Sequence, residues 1–303
     1  MNTIGVDWGS SNRRAYWLDA QGCLLAQRQD AAGVLATPPG GQRDFAAELQ
    51  SLIGDWRAQA PAQVWLSGMV GSRSGWQEAP YLPLPCHLHG LGEAATPLAA
   101  DPQIRLLPGL CQRPPLGPHD VMRGEETQLL GAWRLRPQNG WVLLPGTHSK
   151  WAQVENGRVL TMHSAMTGEL FALLRRHSCL SAVAGGDEPP APIPAHESAF
   201  DEGLQWAREG GGLAQLFRLR AQALLTDEPQ PPAEVAARLS GLLIGLELQA
   251  RQIHSASLVA APGLAHWYTR AAARQGLTLH ALDPDQCLVA ALQALQTPTE
   301  TSP

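Results

Sequence analysis

The strongest constraint on the fold is a pattern that occurs twice at half-chain spacing. Ile4-Gly5-Val6-Asp7-Trp8 is a short apolar run halted by Gly9-Ser10-Ser11. Asn12 to Leu18 is rich in β-formers, Asp19-Ala20-Gln21-Gly22 reads as a turn with Gly placed for positive φ, and Cys23 to Arg28 continues as a third strand. Further on, Trp141-Val142-Leu143-Leu144-Pro145 is again an apolar strand, halted by Gly146-Thr147-His148-Ser149. Lys150 to Glu155, the turn Glu155-Asn156-Gly157 and Arg158 to His163 follow it. At an offset of 137 residues Gly9 falls on Gly146, Ser10 on Thr147, Asn12 on Ser149, Arg13 on Lys150 and Asp19 on Asn156. Identity is low, and two unrelated hairpins of common type remain an alternative. The shared order of strand, Gly-Ser/Thr turn, strand, turn and strand favours two similar domains.

Between and behind the copies the chain alternates helices and strands. Phe45, Leu49, Leu52, Ile53 and Trp56 fall at helical spacing behind Asp44, a candidate N-cap, and Gln63 to Leu66 is a buried strand running into Ser67-Gly68-Met69. Three antiparallel strands, a helix and a further strand predict an α/β fold with a mixed sheet. Helices are expected over Val121 to Leu135, Met166 to Arg176, Glu197 to Arg208, Gly212 to Leu225, Ala233 to Ile253 and onward from Gly263 through Arg274, with a last one from Gln286 to Leu295. Strands are expected at Ser257 to Ala261 and Leu277 to Leu282, a loop from Ser181 to Pro194, and a frayed polar tail from Gln296 to Pro303.

Composition narrows the partners. With 22 basic and 27 acidic residues the net charge is −5, which argues against a nucleic-acid protein, since phosphate backbones need a basic surface. The first residues lack the basic and apolar regions of a signal peptide, and no apolar run approaches the roughly 18 residues of a membrane span. Five scattered Cys, at 23, 86, 111, 179 and 287, form no CxxC pair and fit reduced thiols. A soluble cytoplasmic protein is expected. All but one of the basic residues are Arg; the exception is Lys150, directly after the second turn.

Familiar chemical motifs are missing: no GxxxxGK[ST], no GxGxxG after a strand, no HExxH and no GxSxG. Cys86-His87-Leu88-His89, flanked by Pro83 and Pro85, reads as a loop, with half a metal site as the alternative. What remains are the two turns, whose backbone N–H groups and hydroxyls can wrap phosphate oxygens. Asp7 stands at the tip of an apolar strand, where it either holds Mg²⁺ with hard oxygen or hydrogen-bonds its own turn. Met122-Arg123-Gly124-Glu125-Glu126-Thr127-Gln128 places two carboxylates at a helix start. They serve either the helix dipole or a substrate hydroxyl as general base.

The run Gly5-Val6-Asp7-Trp8-Gly9-Ser10-Ser11-Asn12-Arg13-Arg14 resembles the first phosphate motif of the acetate and sugar kinase, heat-shock and actin superfamily. Leu144-Pro145-Gly146-Thr147-His148-Ser149-Lys150-Trp151 resembles the second, and Ala260 to Tyr268 the adenosine motif, with Ala261-Pro262-Gly263 where Gly-Gly is common. More narrowly, Ser67-Gly68-Met69-Val70-Gly71-Ser72-Arg73-Ser74-Gly75-Trp76, MRGEETQ, LLPGTHSKW and Met166-Thr167-Gly168-Glu169-Leu170-Phe171 resemble the 2-dehydro-3-deoxygalactonokinase family over nearly the whole chain.

The resemblance implies two ribonuclease-H-like domains with mixed sheets flanked by helices, an actin-like ATPase architecture with an interdomain cleft. The expected division is residues 1–137 with the C-terminal helix of 285–303, and residues 138–284. It implies ATP and Mg²⁺ as cofactors and a sugar acid as the small-molecule partner, with no nucleic acid and no membrane; a homo-oligomer is left open. Phosphoryl transfer to the 6-hydroxyl of 2-dehydro-3-deoxy-D-galactonate is the implied reaction. The alternatives are a kinase of this fold for another sugar acid, such as the gluconate-derived epimer, and a non-catalytic nucleotide sensor. In the implied site Asp7 holds the metal, while Gly9, Ser10, Ser11, Arg13, Gly146, Thr147, His148, Ser149 and Gly263 contact the nucleotide. Arg13 or Lys150 neutralises the transferred group. Glu125 is the expected base, with Glu126 and Asp120 in reserve. Ser67, Gly68, Met69, Arg73, Thr167, Gly168 and Glu169 are expected around the substrate, with Arg73 on its carboxylate.

Overall fold

Gly9 N donates to Asn12 O at 2.9 Å, closing the turn between β1 (Asn2–Trp8) and β2 (Arg13–Leu18), which pair antiparallel. β3 (Leu24–Asp30) pairs antiparallel with β2. Helix α1 (Phe45–Gln59) starts where expected, because the Asp44 carboxylate accepts from Ala47 N at 3.0 Å and satisfies a first-turn donor. It buries Leu52, Ile53 and Trp56 against Ile4, Val6 and Trp8. β4 (Ala62–Ser67) then adds parallel to β1. The mixed sheet predicted from the sequence is thus present.

In this computed structural model the described residues are 1–36, 41, 43–186, 196–226, 230–250 and 253–296. The proline-rich end of the loop expected up to Pro194, the end of the helix expected through Ile253 and the tail expected after Gln296 lie at least partly outside them.

Short strands that the periodicity did not mark fill the stretch after β4. They are β5 (Tyr81–Pro83), β6 (Cys86–His87), β7 (Thr96–Leu98), β8 (Asp101–Leu106), β9 (Gly109–Gln112) and β10 (Asp120–Met122). The first sheet runs β3-β2-β1-β4-β8-β7, and a small one β10-β9-β5. Helix α2 spans Glu125–Leu135. It begins four residues later than the sequence reading places it, because Asp120 to Met122 pair with β9 and Gly124 takes φ 108°.

The second copy forms β11 (Gly140–Leu144), β12 (Ser149–Glu155) and β13 (Arg158–Ala165), followed by α3 (Thr167–His177), α4 (Glu197–Arg208), α5 (Gln215–Leu225) and α6 (Pro232–Gln249). β14 (Ser255–Val259), α7 (Pro262–Arg274), β15 (Thr278–Leu282) and α8 (Pro284–Gln296) complete the chain. The helix expected from Gly212 opens as a 3-10 turn, Gly212–Ala214, before α5. The third sheet runs β15-β14-β11-β12-β13-β6.

The chain divides into two compact units. The first takes in Met1–Gly140, Ala152–His163 and the chain from Leu282, and the second Trp141–Trp151 and Ser164–Ala281. In the first, α8 crosses α2 so closely that a Cβ on Gly131 would stand 1.7 Å from Cys287 O. In the second, Leu143, Phe200, Leu258 and Tyr268 are among the core residues. No helix among the described residues is long and apolar enough to cross a membrane.

Candidate active site

In the first unit Asp7 is the last residue but one of β1, in register with Arg14 on one side and Ser67 on the other. Carboxyl ends of parallel strands are where open α/β sheets place ligands. Arg14 Nη2 donates to Asp7 Oδ2 at 2.7 Å, and Arg14 Nη1 to Asp285 Oδ1 at 3.1 Å. Tyr16 donates to the same Asp285 oxygen at 2.7 Å, so α8 holds the arginine that holds Asp7. Burial pushes the Asp7 carboxyl above the ordinary carboxylate range, against the pull of Arg14.

Asp7 Oδ1 faces two glycines. A Cβ on Gly68, at φ 87°, would lie 3.3 Å from Oδ1 and 2.7 Å from Trp8 O. One on Gly124 would lie 3.8 Å from Oδ1 and 3.1 Å from Gly68 Cα. Positive φ and backbone approach together require glycine at both places. The Ser67-Gly68-Met69 loop, the Gly124-Glu125 helix start and Asp7 therefore converge.

The two carboxylates of that helix start differ. Glu126 is 0% exposed, and both its oxygens accept from Gly124 N, at 2.9 and 2.7 Å. Burial, with Glu125 adding repulsion, pushes its carboxyl up to about 8. Glu125 is half-buried, and its Oε2 accepts from Arg123 N at 3.0 Å. Asp120 lies in β10, its Oδ1 accepting from Val121 N at 2.8 Å.

Arg13 lies on the opposite face of β2 from Arg14. Its Nε and Nη2 donate to the two Asp30 oxygens, each at 2.8 Å, and its guanidinium sits 4.9 Å above the Trp8 ring. In the first turn, the carbonyls of Gly9, Ser10 and Ser11 accept from Val34, Leu35 and Gly33. Arg73 is 91% exposed at its side chain and 3.4 Å from Glu78. Arg123, absent from the expected site, is buried with Nη2 on Ala79 O at 2.8 Å and its guanidinium over the Tyr81 ring.

In the second unit Gly146, Thr147 and His148 are exposed at the end of β11, and Thr167-Gly168-Glu169 folds onto them. Glu169 N donates to Thr147 O at 2.9 Å, Glu169 Oε2 lies 2.5 Å from His148 Nε2, and a Cβ on Gly168 would meet Gly146 O. A cavity of about 320 Å³ opens beside them, lined by Gly146, Thr167, Gly168, Gly263, Trp267 and Tyr268 and by small and aliphatic side chains of α6. Lys150 is 7% exposed and donates to Ser164 Oγ at 2.6 Å.

Two of the lining residues, Thr167 and Tyr268, bond to Glu247 of α6, which is 8% exposed. Its Oε1 accepts from Trp151 Nε1 at 2.9 Å, and its Oε2 from Tyr268 at 2.8 Å and from Thr167. Tyr268 is in turn 3.0 Å from Ser149 Oγ. Burial pushes the Glu247 carboxyl up against the pull of those donors. Sequence reasoning missed Glu247, Arg14 and Tyr268. The signal for Glu247 was there: it is the one acid in the otherwise aliphatic run Leu242 to Leu248.

The fold is of the actin-like ATPase class. An activator of 2-hydroxyisocaproyl-CoA dehydratase from Clostridium difficile, solved with bound ADPNP, shares the fold at 13% identity, with a TM-score of 0.51 over 98% of this chain and 94% of that one. A family model described as 2-keto-3-deoxy-galactonokinase matches residues 7–295, and the chain belongs to that family. It is 40% identical to a protein of Rhizobium meliloti (strain 1021) described as a probable 2-dehydro-3-deoxygalactonokinase, over 97% of each chain. It is 37% identical to the 2-dehydro-3-deoxygalactonokinase of Escherichia coli (strain K12), over 96% of each. The crystal structure of a Sinorhizobium meliloti protein given the same enzyme name superposes with a TM-score of 0.87 at 36% identity, over 99% of this chain and 98% of that one. The chain is a kinase of carbohydrate metabolism.

Proposed function

We propose that this kinase transfers the γ-phosphoryl group of ATP to the 6-hydroxyl of 2-dehydro-3-deoxy-D-galactonate, in the cytoplasm. The observation that carries the reading is the convergence of Asp7, Gly68 and the Gly124-Glu125 helix start at the end of β1. Phosphoryl transfer needs positioning and charge stabilisation more than covalent chemistry, and a carboxylate beside a backbone cradle supplies both.

Among the described residues no cluster of three His, Cys, Asp or Glu could cage a metal. Mg²⁺ in kinases needs no such cage, being held through one or two carboxylates, water and phosphates. Asp7 fits that mode: Oδ2 is taken by Arg14, while Oδ1 lies where the backbones of Gly68 and Gly124 approach one another. The ion would neutralise phosphate charge there. Glu125 accepts the proton of the substrate hydroxyl, since its neighbour Glu126 is committed to the Gly124 amide. Ser67, Gly68 and Met69 border the sugar acid, and Arg73, weakly tied to Glu78, is available to its carboxylate.

In the second unit the cavity beside Gly146, Gly168 and Gly263 is of a size and apolar character suited to adenosine, and the exposed residues Gly146 and Thr147 would serve the phosphates. Ser10 and Ser11 keep the phosphate role given them by the first motif, and Lys150 that of a compact cation behind the second turn. Arg13 does not fit the phosphate role, because Asp30 takes one edge of its guanidinium and Trp8 covers a face.

The test is the product. Purified protein with ATP, Mg²⁺ and the acid is expected to give one new phosphomonoester by ³¹P NMR, coupled to the C6 protons. A phosphate on any other carbon, or none, rules the reading out.

A further inference from the structure

We propose that Glu247 is a positioning residue for the nucleotide, fixing through its two oxygens the indole and the hydroxyls that join the cavity wall to the second phosphate turn. The inference rests on the reading that this cavity receives ATP. Proton accounting carries it. The Trp151 indole can only donate, and it donates to Oε1. Thr167 and Tyr268 each have one hydroxyl proton, and both go to Oε2. With Glu247 ionised both hydroxyl protons are spent on Oε2, so Ser149 is the donor toward the Tyr268 oxygen and the carboxylate behind it.

A single carboxylate thus orders four groups. Thr167 and Tyr268 line the cavity. Ser149 is the residue at which the exposed phosphate turn enters β12, and Trp151 is two residues along the same strand. The Ser149 proton is directed away from any phosphate, so this turn offers a nucleotide its backbone amides and Thr147, and the Ser149 hydroxyl acts as an anchor. Stability alone is a weak reason for a carboxylate here, because apolar replacements of buried charges are often neutral or stabilising. A glutamine would present an amide N–H₂ to donors on one side, reversing or breaking the chain from Tyr268 to Ser149.

The experiment measures binding of the β,γ-imido analogue of ATP and, separately, of the sugar acid, by calorimetry, together with unfolding temperature. Wild type is compared with Glu247→Gln, Tyr268→Phe, Ser149→Ala and the double variant Glu247→Gln/Tyr268→Phe. Glu247→Gln is expected to weaken nucleotide binding by roughly 10–100-fold, as for loss of hydrogen bonds to a charged group, and to leave the acid's affinity unchanged. The double variant is expected to lose no more than the worse single one, since the residues act as one chain. Tyr268→Phe keeps the ring, so it must weaken the nucleotide even if Glu247→Gln fails to fold. Equal nucleotide affinity in Glu247→Gln and wild type, or parallel loss of both ligands with a lowered unfolding temperature, overturns the inference. A wild type that binds the acid but no nucleotide overturns the cavity reading itself.

Discussion

Two neighbouring glutamates at one helix start take opposite parts. Glu126 turns into the protein and closes both oxygens on the Gly124 amide, while Glu125 stays half-buried. A carboxyl near 8 when folded and near 4.5 when unfolded binds more protons in the folded state at every pH between. Its contribution is therefore fullest below about 4.5 and is lost as the pH rises to about 8. Urea midpoints measured across that range are expected to decline for wild type and to show a flatter decline for Glu126→Gln. Identical slopes would contradict the burial of a protonated acid. Some of this was legible in the residues and some was not. Asp44 was readable as an N-cap because capping depends on sequence neighbours. Whether Arg13 or Arg14 faces Asp7 depends on strand alternation, which the motif leaves open. Pairing arithmetic across the Gly9 to Asn12 turn contained the answer, since it sets Trp8 opposite Arg13 and Asp7 opposite Arg14.

At the scale of elements, long periodic segments were visible in the sequence and short ones were not. Glu197–Arg208 matches its expected bounds because its apolar face repeats over three turns. The strands between Tyr81 and Met122 are only two to six residues long, and three of them hold a proline, so neither alternation nor length marks them. They are stabilised by partners distant in sequence, as when Cys86 and His87 pair with Val159 and Arg158. The contact of α2 with α8 was equally illegible, and it bears on the site. Gly131 lets the helices meet, and α8 carries Asp285, which secures Arg14 and through it Asp7. Gly131→Ala is expected to destabilise the protein by about 1–3 kcal/mol through overpacking, despite the better helix propensity of alanine. Chemical denaturation would measure it; an unchanged or raised midpoint would mean that the helices stand further apart than described.

For the molecule as a whole, the doubled strand-and-turn pattern carried the fold, because a hairpin ending in a Gly-Ser/Thr turn is specified locally. What it could not carry is which distant side chains the fold assembles: Gly124 against Gly68, or Glu247 between Thr167 and Trp151. The first unit thus gathers Asp7 beside two closely packed glycines, and the second a cavity of about 320 Å³, the places that the proposed function gives to the hydroxyl acceptor and the nucleotide. The central claim, that these sets serve phosphorylation of one sugar acid with Glu125 as base, is tested most directly by initial rates. ATP-dependent turnover of the galactonate-derived and gluconate-derived 2-dehydro-3-deoxy acids would be compared for wild type and Glu125→Gln. The galactonate-derived acid is expected to be the better substrate, with kcat falling about 10²–10⁴-fold in the variant. Turnover of neither acid, or a Glu125→Gln enzyme as fast as wild type, would contradict it.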